Sequence, residues 1–198
     1  MSGPRYRVSF RRRRENLTNY HMRKTMIISR RLRLVVRFSS KYVYAQIVKA
    51  YASGDQVLAS VCSKELKRFG CGPSYGNVSA AYFSGLLLGK KALKIGIKDA
   101  ILDIGLRKSS RGGRIFAVLK GVVDADVKVP HDERILPGEA RTRGEHIASY
   151  AKELLQEDQQ HYEKIFSRYL SEGLRPEQLP NNFNQIRDEI LKVAKGDS

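Results

Sequence analysis

Leu32, Leu34, Val36 and Phe38 alternate with Arg33, Val35 and Arg37, and after Ser39-Ser40 the alternation resumes with Val43, Ala45 and Ile47 against Tyr42, Tyr44 and Gln46. Period-two alternation predicts two half-buried strands joined as a hairpin. A two-residue turn at Ser39-Ser40 sets Phe38 opposite Lys41, Arg37 opposite Tyr42, Val35 opposite Tyr44 and Arg33 opposite Gln46. One face is then aliphatic, and the other carries Arg33, Arg37, Tyr42 and Tyr44. That second face suits a nucleic-acid platform, and it equally suits an ordinary outer sheet face with Arg–Tyr cation–π pairs. Residues 56–61 read as a third strand after the turn at Ser53-Gly54-Asp55. Residues 77–95 read as a helix whose small side chains (Ala80, Ala81, Ser84, Gly85, Gly89) allow close packing on a sheet. The apolar run over residues 100–105 predicts a central strand covered on both faces. Residues 114–124 form a second helix, with Ile115, Val118, Leu119 and Val122 on one stripe. Strands alternating with helices predict a layered α/β sandwich.

The rest of the chain is helical in pattern. Ile147, Tyr150, Ala151 and Leu154 recur at helical spacing, followed by Tyr162, Ile165, Phe166, Tyr169 and Leu170. Gly173 and Pro176 end that stretch. Phe183, Ile186, Ile190 and Val193 mark a last short helix after Pro180. The organisation predicted is an arm over residues 1–31, an α/β body over 32–130, a charged loop over 131–144 and a helical region over 145–198.

Charge changes this picture. The chain has 198 residues, with 37 lysines and arginines against 20 acids, a formal net charge of +17. Residues 1–41 carry net +12, residues 42–144 net +8 and residues 145–198 net −3. A basic arm on a moderately basic body calls for an anionic partner, nucleic acid before an acidic membrane. Four consecutive arginines, Arg11–Arg14, repel one another and are not expected to order without that partner. Tyr6, Phe10, Tyr20 and His21 are interleaved with them. Arginine supplies bidentate phosphate forks and planar stacking, and aromatics supply base-stacking faces. The candidate RNA-contacting residues of the arm are Arg5, Tyr6, Arg7, Phe10, Arg11, Arg12, Arg13, Arg14, Asn16, Tyr20, Arg23, Lys24, Arg30 and Arg31. The hairpin adds Arg33, Arg37, Tyr42 and Tyr44. The glycine-rich stretch over residues 108–114 offers backbone amides next to a helix start, either as a phosphate cradle or as a plain solvent loop; it adds Lys108 and Arg111. Arg141 and Arg143 close the charged loop.

Little in the chain points to catalysis. Gly85-Leu86-Leu87-Leu88-Gly89-Lys90-Lys91 is one residue short of a phosphate-binding loop, lacks the Ser or Thr after the lysine, and lies within a helix. His21, His131, His146 and His161 are scattered without paired ligand spacing, so neither a metal nor a cofactor is expected. Asp103, with Asp124 and Asp126 further along, is the one carboxylate set that invites a metal-dependent nuclease reading; Asp103 would otherwise pair with an arginine or cap a loop. Cys62 and Cys71 are too few for a disulfide framework and point to a reduced, intracellular chain, with a single Cys62–Cys71 bridge as the alternative. The basic N-terminus leads into no apolar segment of signal-peptide length. Residues 69–89 are uncharged over 21 positions but hold Pro73 and five glycines, so a loop and a buried helix are expected there rather than a membrane span.

Several of these segments together carry a resemblance. They are Arg11–Arg14 followed by Glu15, Thr18, Tyr20 and Arg23; Ser79-Ala80-Ala81-Tyr82 with Gly85-Leu86-Leu87-Leu88; Leu102-Asp103-Ile104-Gly105-Leu106; Arg114-Ile115-Phe116-Ala117-Val118-Leu119-Lys120-Gly121 with Asp124; and Val129-Pro130-His131. In this order they resemble the family of large-subunit ribosomal protein eighteen, the 5S ribosomal RNA-binding protein, in its archaeal and eukaryotic form, over about residues 5–170. The acidic C-terminal region, in place of a long basic extension, is similar to the archaeal type. The resemblance implies a mixed-sheet α/β sandwich with a basic extended N-terminal arm and a helical C-terminal tail. It implies a non-enzymatic, cytoplasmic constituent of the large subunit that attaches 5S ribosomal RNA to the large ribosomal RNA in the central protuberance. The implied partners are those two RNAs, the second 5S-binding ribosomal protein and other central-protuberance proteins, with no membrane and no small-molecule substrate. Arg11–Arg14, Tyr20 and Arg23 carry over as RNA contacts. A general nucleic-acid-binding protein and a nuclease are the alternatives. In this frame the first tail helix, from about Gly144, is expected to pack on the body. The chain beyond Gly173 is expected to be held mainly by ribosomal neighbours, since so short a helix is marginal alone in water.

Overall fold

A computed structural model describes residues 7–196, with side chains described as far as Lys192. Strands β1 (Arg33–Phe38), β2 (Val43–Tyr51), β3 (Gly54–Cys62) and β4 (Ile101–Asp103) form one sheet in the order β3-β2-β1-β4. The β1/β2 and β2/β3 pairs are antiparallel and β1/β4 is parallel, so the sheet is mixed. A parallel return needs a crossover, and α3 (Val78–Lys94) supplies it.

The register of the first hairpin differs from the one predicted. Phe38 pairs with Val43, Arg37 with Tyr44, Val35 with Gln46 and Arg33 with Val48. The turn holds four residues, because the Ser39 amide donates to the Tyr42 carbonyl (2.9 Å) and the Tyr42 amide to Ser39 Oγ (3.0 Å). The shift is two positions, so every paired side chain keeps its face. Tyr42, however, leaves the ladder and the face that bears Tyr44.

The aliphatic face of the sheet meets α3. Asn77 caps that helix by accepting from the Ala80 amide (2.7 Å). Residues 80–89 of α3 are all buried. The glycines of α3 do not face the sheet, as expected, but α4 (Arg114–Asp124). A Cβ on Gly85 would collide with the Val118 carbonyl oxygen, and one on Gly121 with the Tyr82 carbonyl oxygen. Helices α3 and α4 therefore cross backbone to backbone, which only glycine at both positions permits. The run over residues 100–105 is also not a central strand. β4 is three residues long, lies at the sheet edge and leaves Ile101 and Leu102 half-buried. The hairpins β1–β2–β3 fill the other side of β1, so the returning chain finds only its free edge.

The expected loop over residues 131–144 contains a 3-10 turn, Glu133–Ile135, and a short helix α5 (Glu139–Arg143). Then follow α6 (Glu145–Glu157), α7 (Gln159–Ile165), α8 (Ser167–Ser171) and α9 (Leu179–Gly196). The tail packs in the reverse of the order expected. Phe183, Ile186 and Ile190 of α9 lie in the main core, with the Phe183 ring centroid 4.8 Å from that of Phe83 and 5.4 Å from that of Tyr82. Helices α6–α8 build a separate small cluster from Ala151, Leu154, Tyr162, Phe166 and Tyr169. The hydrophobic stripes mark buried faces at Ala151, Leu154, Tyr162, Phe166, Tyr169, Phe183, Ile186 and Ile190, whereas Tyr150, Ile165 and Leu170 of the same stripes are exposed and the Val193 side chain lies outside the described residues. Periodicity also does not say against what a stripe packs. Among the described residues no helix is long and apolar enough to cross a membrane.

Candidate nucleic-acid interface

The arm contains two helices, α1 (Arg11–Arg14) and α2 (Tyr20–Ile28), where a chain unordered without a partner is expected. Asn19 starts α2 by accepting from the Met22 amide (3.2 Å), and Arg12 Nε donates to Thr18 Oγ1 (3.1 Å). The Phe10 and Tyr20 rings lie 5.2 Å apart. Neither helix buries a residue, so the arm's arginines remain at the surface. Arg5 and Tyr6 lie outside the described residues. Arg7, Phe10, Arg11–Arg14, Asn16, Lys24, Arg30 and Arg31 are exposed, and Tyr20 and Arg23 half-buried.

Helix α2 lies over the outer sheet face. Met22, Arg23 and Met26 line a groove with Val35, Val48 and Val57 of the strands. Arg23 Nη2 reaches Asp55 Oδ2 at 3.0 Å, and Arg33 Nη2 reaches the same oxygen at 2.7 Å. Asp103 answers from the opposite side. Its Oδ2 accepts from Arg33 Nη1 (3.2 Å), and its Oδ1 accepts from Arg37 Nη2 (2.9 Å) and the Gly105 amide (2.9 Å). Asp103 thus both pairs with arginines and caps a loop. Its near-complete burial is tolerable because every charge there has a partner. Arg33, 3% exposed, is a strut inside the network, whereas Arg37 keeps an exposed side chain. Asp124 instead accepts from the Tyr82 hydroxyl (2.9 Å), and Asp126 pairs with Lys90 (3.6 Å). The three carboxylates do not converge, and among the described residues no group of three or more His, Cys, Asp or Glu is placed to hold a metal.

Leu106, 51% exposed, borders both this groove and a second hollow formed by Phe38, Arg107, Lys108 and Arg114. The Arg114 guanidinium lies 4.9 Å above the Phe38 ring and donates to the Gly76 carbonyl (3.0 Å). Beyond Gly76, Tyr75 stacks on Tyr42 with centroids 6.0 Å apart, in a hollow shared with Lys41 and Arg168. Linked by Leu106 and by the Arg114–Gly76 bond, these hollows form a basic and aromatic band from Arg12 and Arg23 of the arm across Arg37 to the Tyr42–Tyr75 stack. Tyr44 stands exposed on the outer sheet face. Lys41, Tyr75, Arg107, Arg114 and Arg168 are members that sequence reasoning missed. The stretch over residues 108–114 offers Lys108 and Arg111 as contacts but Arg114 only as the start of a helix, and no local pattern ties Tyr75 to Tyr42.

The glycine-rich loop is not an open amide cradle. The Gly112 amide donates to the Ile135 carbonyl (2.9 Å) and the Gly113 amide to the Ser110 carbonyl (3.0 Å). Lys108 and Arg111 are exposed on it. Arg141 and Arg143 lie on α5, which packs against α3, α6 and α9; Arg143 pairs with Glu139 (3.4 Å) and lines a cleft with Ser74 and Asn77, next to the Tyr42–Tyr75 hollow.

Comparison with known proteins adds a separate finding. Residues 4–100 and 94–132 match the family model described as ribosomal large subunit proteins 60S L5 and 50S L18. The chain is 48% identical to the large ribosomal subunit protein uL18 of Caldivirga maquilingensis over 199 residues, spanning 100% of this chain and 96% of the relative. It is 46% identical to the protein of the same name from Aeropyrum pernix, across 98% of this chain and 91% of the relative.

Proposed function

The chain belongs to the family of ribosomal large subunit proteins 60S L5 and 50S L18, structural components rather than enzymes, and from that premise we propose that it binds 5S ribosomal RNA and helps attach it to the large ribosomal RNA in the central protuberance. The observation that carries the proposal is the band: Arg12 and Arg23 of the arm share a groove with Arg37, Leu106 joins that groove to the hollow of Lys108 and Arg114, and Arg114 bonds to Gly76 beside the Tyr42–Tyr75 stack. Arginine forks hold phosphates at fixed geometry, and sequence-tolerant stacking on tyrosine holds splayed bases. In this reading Arg5, Tyr6, Arg7, Phe10, Arg11–Arg14, Asn16, Tyr20, Arg23, Lys24, Arg30 and Arg31 grip 5S RNA. Arg33, nearly buried, fixes the sheet beneath them and lines the groove next to Arg23 and Arg37. Arg141 and Arg143, on α5, face a second partner, for which the large ribosomal RNA is the fitting candidate. The acidic region over residues 145–198 repels phosphate and is suited to protein neighbours, the second 5S-binding protein among them. The protein works in the cytoplasm as part of the subunit.

Recovery from cell extract at moderate salt, followed by identification of the co-purifying nucleic acid, tests this reading. A discrete small ribosomal RNA is expected. Equal recovery of any duplex would replace it with general nucleic-acid binding.

A further inference from the structure

We propose that the groove between α2 and the outer sheet face is a phosphate pocket, in which Asp55 holds the place of a backbone phosphate of RNA. The inference rests on the RNA-binding reading and adds a specific seat to it. Four guanidiniums, those of Arg12, Arg23, Arg33 and Arg37, line the groove against two carboxylates, Asp55 and Asp103. Asp103 is fully used, with both oxygens accepting from groups of the sheet and its edge loop. Asp55 is poorly matched to the cations around it, since its single Oδ2 faces both Arg23 (3.0 Å) and Arg33 (2.7 Å).

The buried Arg33 records that mismatch. Its Nε and Nη2 have no hydrogen-bond partner, although the side chain is nearly sealed from solvent; Nη2 meets Asp55 as a close ion pair only. An unpartnered buried donor is costly, and a guanidinium presents its donors as a planar fork. The two non-bridging oxygens of a phosphodiester match that fork, one on Nε and one on Nη2 of Arg33, with the second shared with Arg23 as Asp55 Oδ2 is now shared. Asp55 can give way. It lies next to the β2–β3 turn, following Gly54 at φ +143°, and its side chain is part-exposed. The exchange is one anion for another: the carboxylate turns to solvent and the phosphate enters. Asp55 thus keeps the arm seated and Arg33 compensated until RNA arrives, and it competes with RNA for the same cations.

The test uses the full chain, a 5S ribosomal RNA transcript and two variants of equal charge change. Asp55→Asn removes the competitor. Asp126→Asn removes a carboxylate that pairs with Lys90 outside the band. Asp55→Asn is expected to bind RNA about tenfold more tightly than wild type, the equivalent of one charge-assisted contact, and Asp126→Asn within about twofold by general charge alone. Equal affinities of the two variants would overturn the inference while leaving RNA binding itself intact. Because Asp55→Asn also uncovers Arg33, its melting temperature is measured in inorganic phosphate and in chloride at matched ionic strength. A rise specific to phosphate is expected, and its absence overturns the pocket. Tighter binding of inorganic phosphate without tighter binding of RNA would assign the pocket to a free anion and overturn the backbone-phosphate seat. Should wild type not bind the transcript, the functional reading falls, and the melting arm still decides whether the pocket takes phosphate.

Discussion

Asp103 joins two strands and a loop through its two carboxylate oxygens. It ties Arg33 and Arg37 of β1 to the edge strand and holds the Gly105 amide, all while buried. Removing one partner of a buried pair leaves the other charge uncompensated, so Asp103→Ala is expected to cost about 3–5 kcal/mol, read by denaturant unfolding. A nuclease reading predicts instead lost hydrolysis with unchanged stability. Arg37→Ala is expected to lower stability as well as RNA affinity, since its guanidinium bridges the carboxylate and the carbonyl of Asp103. Glu65 offers a pH-dependent case. Burial alone would raise its pKa, but hydrogen bonds from the Lys91 ammonium (2.8 Å) and the Cys62 amide, with Arg68 nearby, hold it below the usual value of 4.5. A lowered folded-state pKa contributes stability that is present above 4.5 and is lost as pH falls through the folded value. Melting temperature measured from neutral pH down to about 3 should therefore fall more steeply for wild type than for Glu65→Gln. Parallel curves would show that the contact contributes nothing.

At the scale of elements, two contacts hold the helices of the core together. The α3–α4 crossing depends on glycine facing backbone. Gly121→Ala drives a methyl into the Tyr82 carbonyl, backbone that cannot yield without separating the helices. The expected loss is about 3 kcal/mol or more, at the upper end for overpacking, and calorimetric melting measures it. The second contact is α9 on α3, where Phe183 sits between Tyr82, Phe83 and the buried Ile186. Phe183→Ala is expected to cost about 3–5 kcal/mol. Hydrogen exchange on the free protein gives an independent check: amides around Ile186 and Ile190 should be protected without RNA or partners. Fast exchange there would mean that this helix is held from outside.

Viewed as a whole molecule, the chain separates charge from core. The core lies between the inner sheet face and α3, α4 and α9, whereas neither helix of the arm has a buried residue of its own, and the arm meets the body through α2, Arg23 and Asp55. Deleting residues 1–31 should leave the body folded and sharply weaken RNA binding. With six to ten phosphate contacts, the full chain should lose about 10³–10⁵ in affinity between roughly 50 and 200 mM salt, taking the duplex-DNA relation as a guide. The truncated chain should show a much shallower slope. An unchanged slope would place the phosphate contacts on the body rather than the arm.

Period-two and period-3.6 patterns were enough to determine the first three strands, the two central helices and the helical tail, because those periods follow from backbone geometry alone. The basic arm was equally legible, since a run of arginines needs no partner in the fold to declare itself. What faces what belongs to the tertiary structure. The hairpin register turned on two hydrogen bonds within residues 39–42, and a slip of two leaves the hydrophobic pattern unchanged. Whether Gly85 met a sheet or a helix, and whether α6 or α9 reached the core, depended on elements distant in sequence. Arg33 and Arg37 read identically along the chain; only the placement of Asp103 and Asp55 made one a buried strut and left the other at the surface. Tyr75 and Arg114 joined the band for the same reason, through neighbours more than thirty positions away at Tyr42 and Gly76.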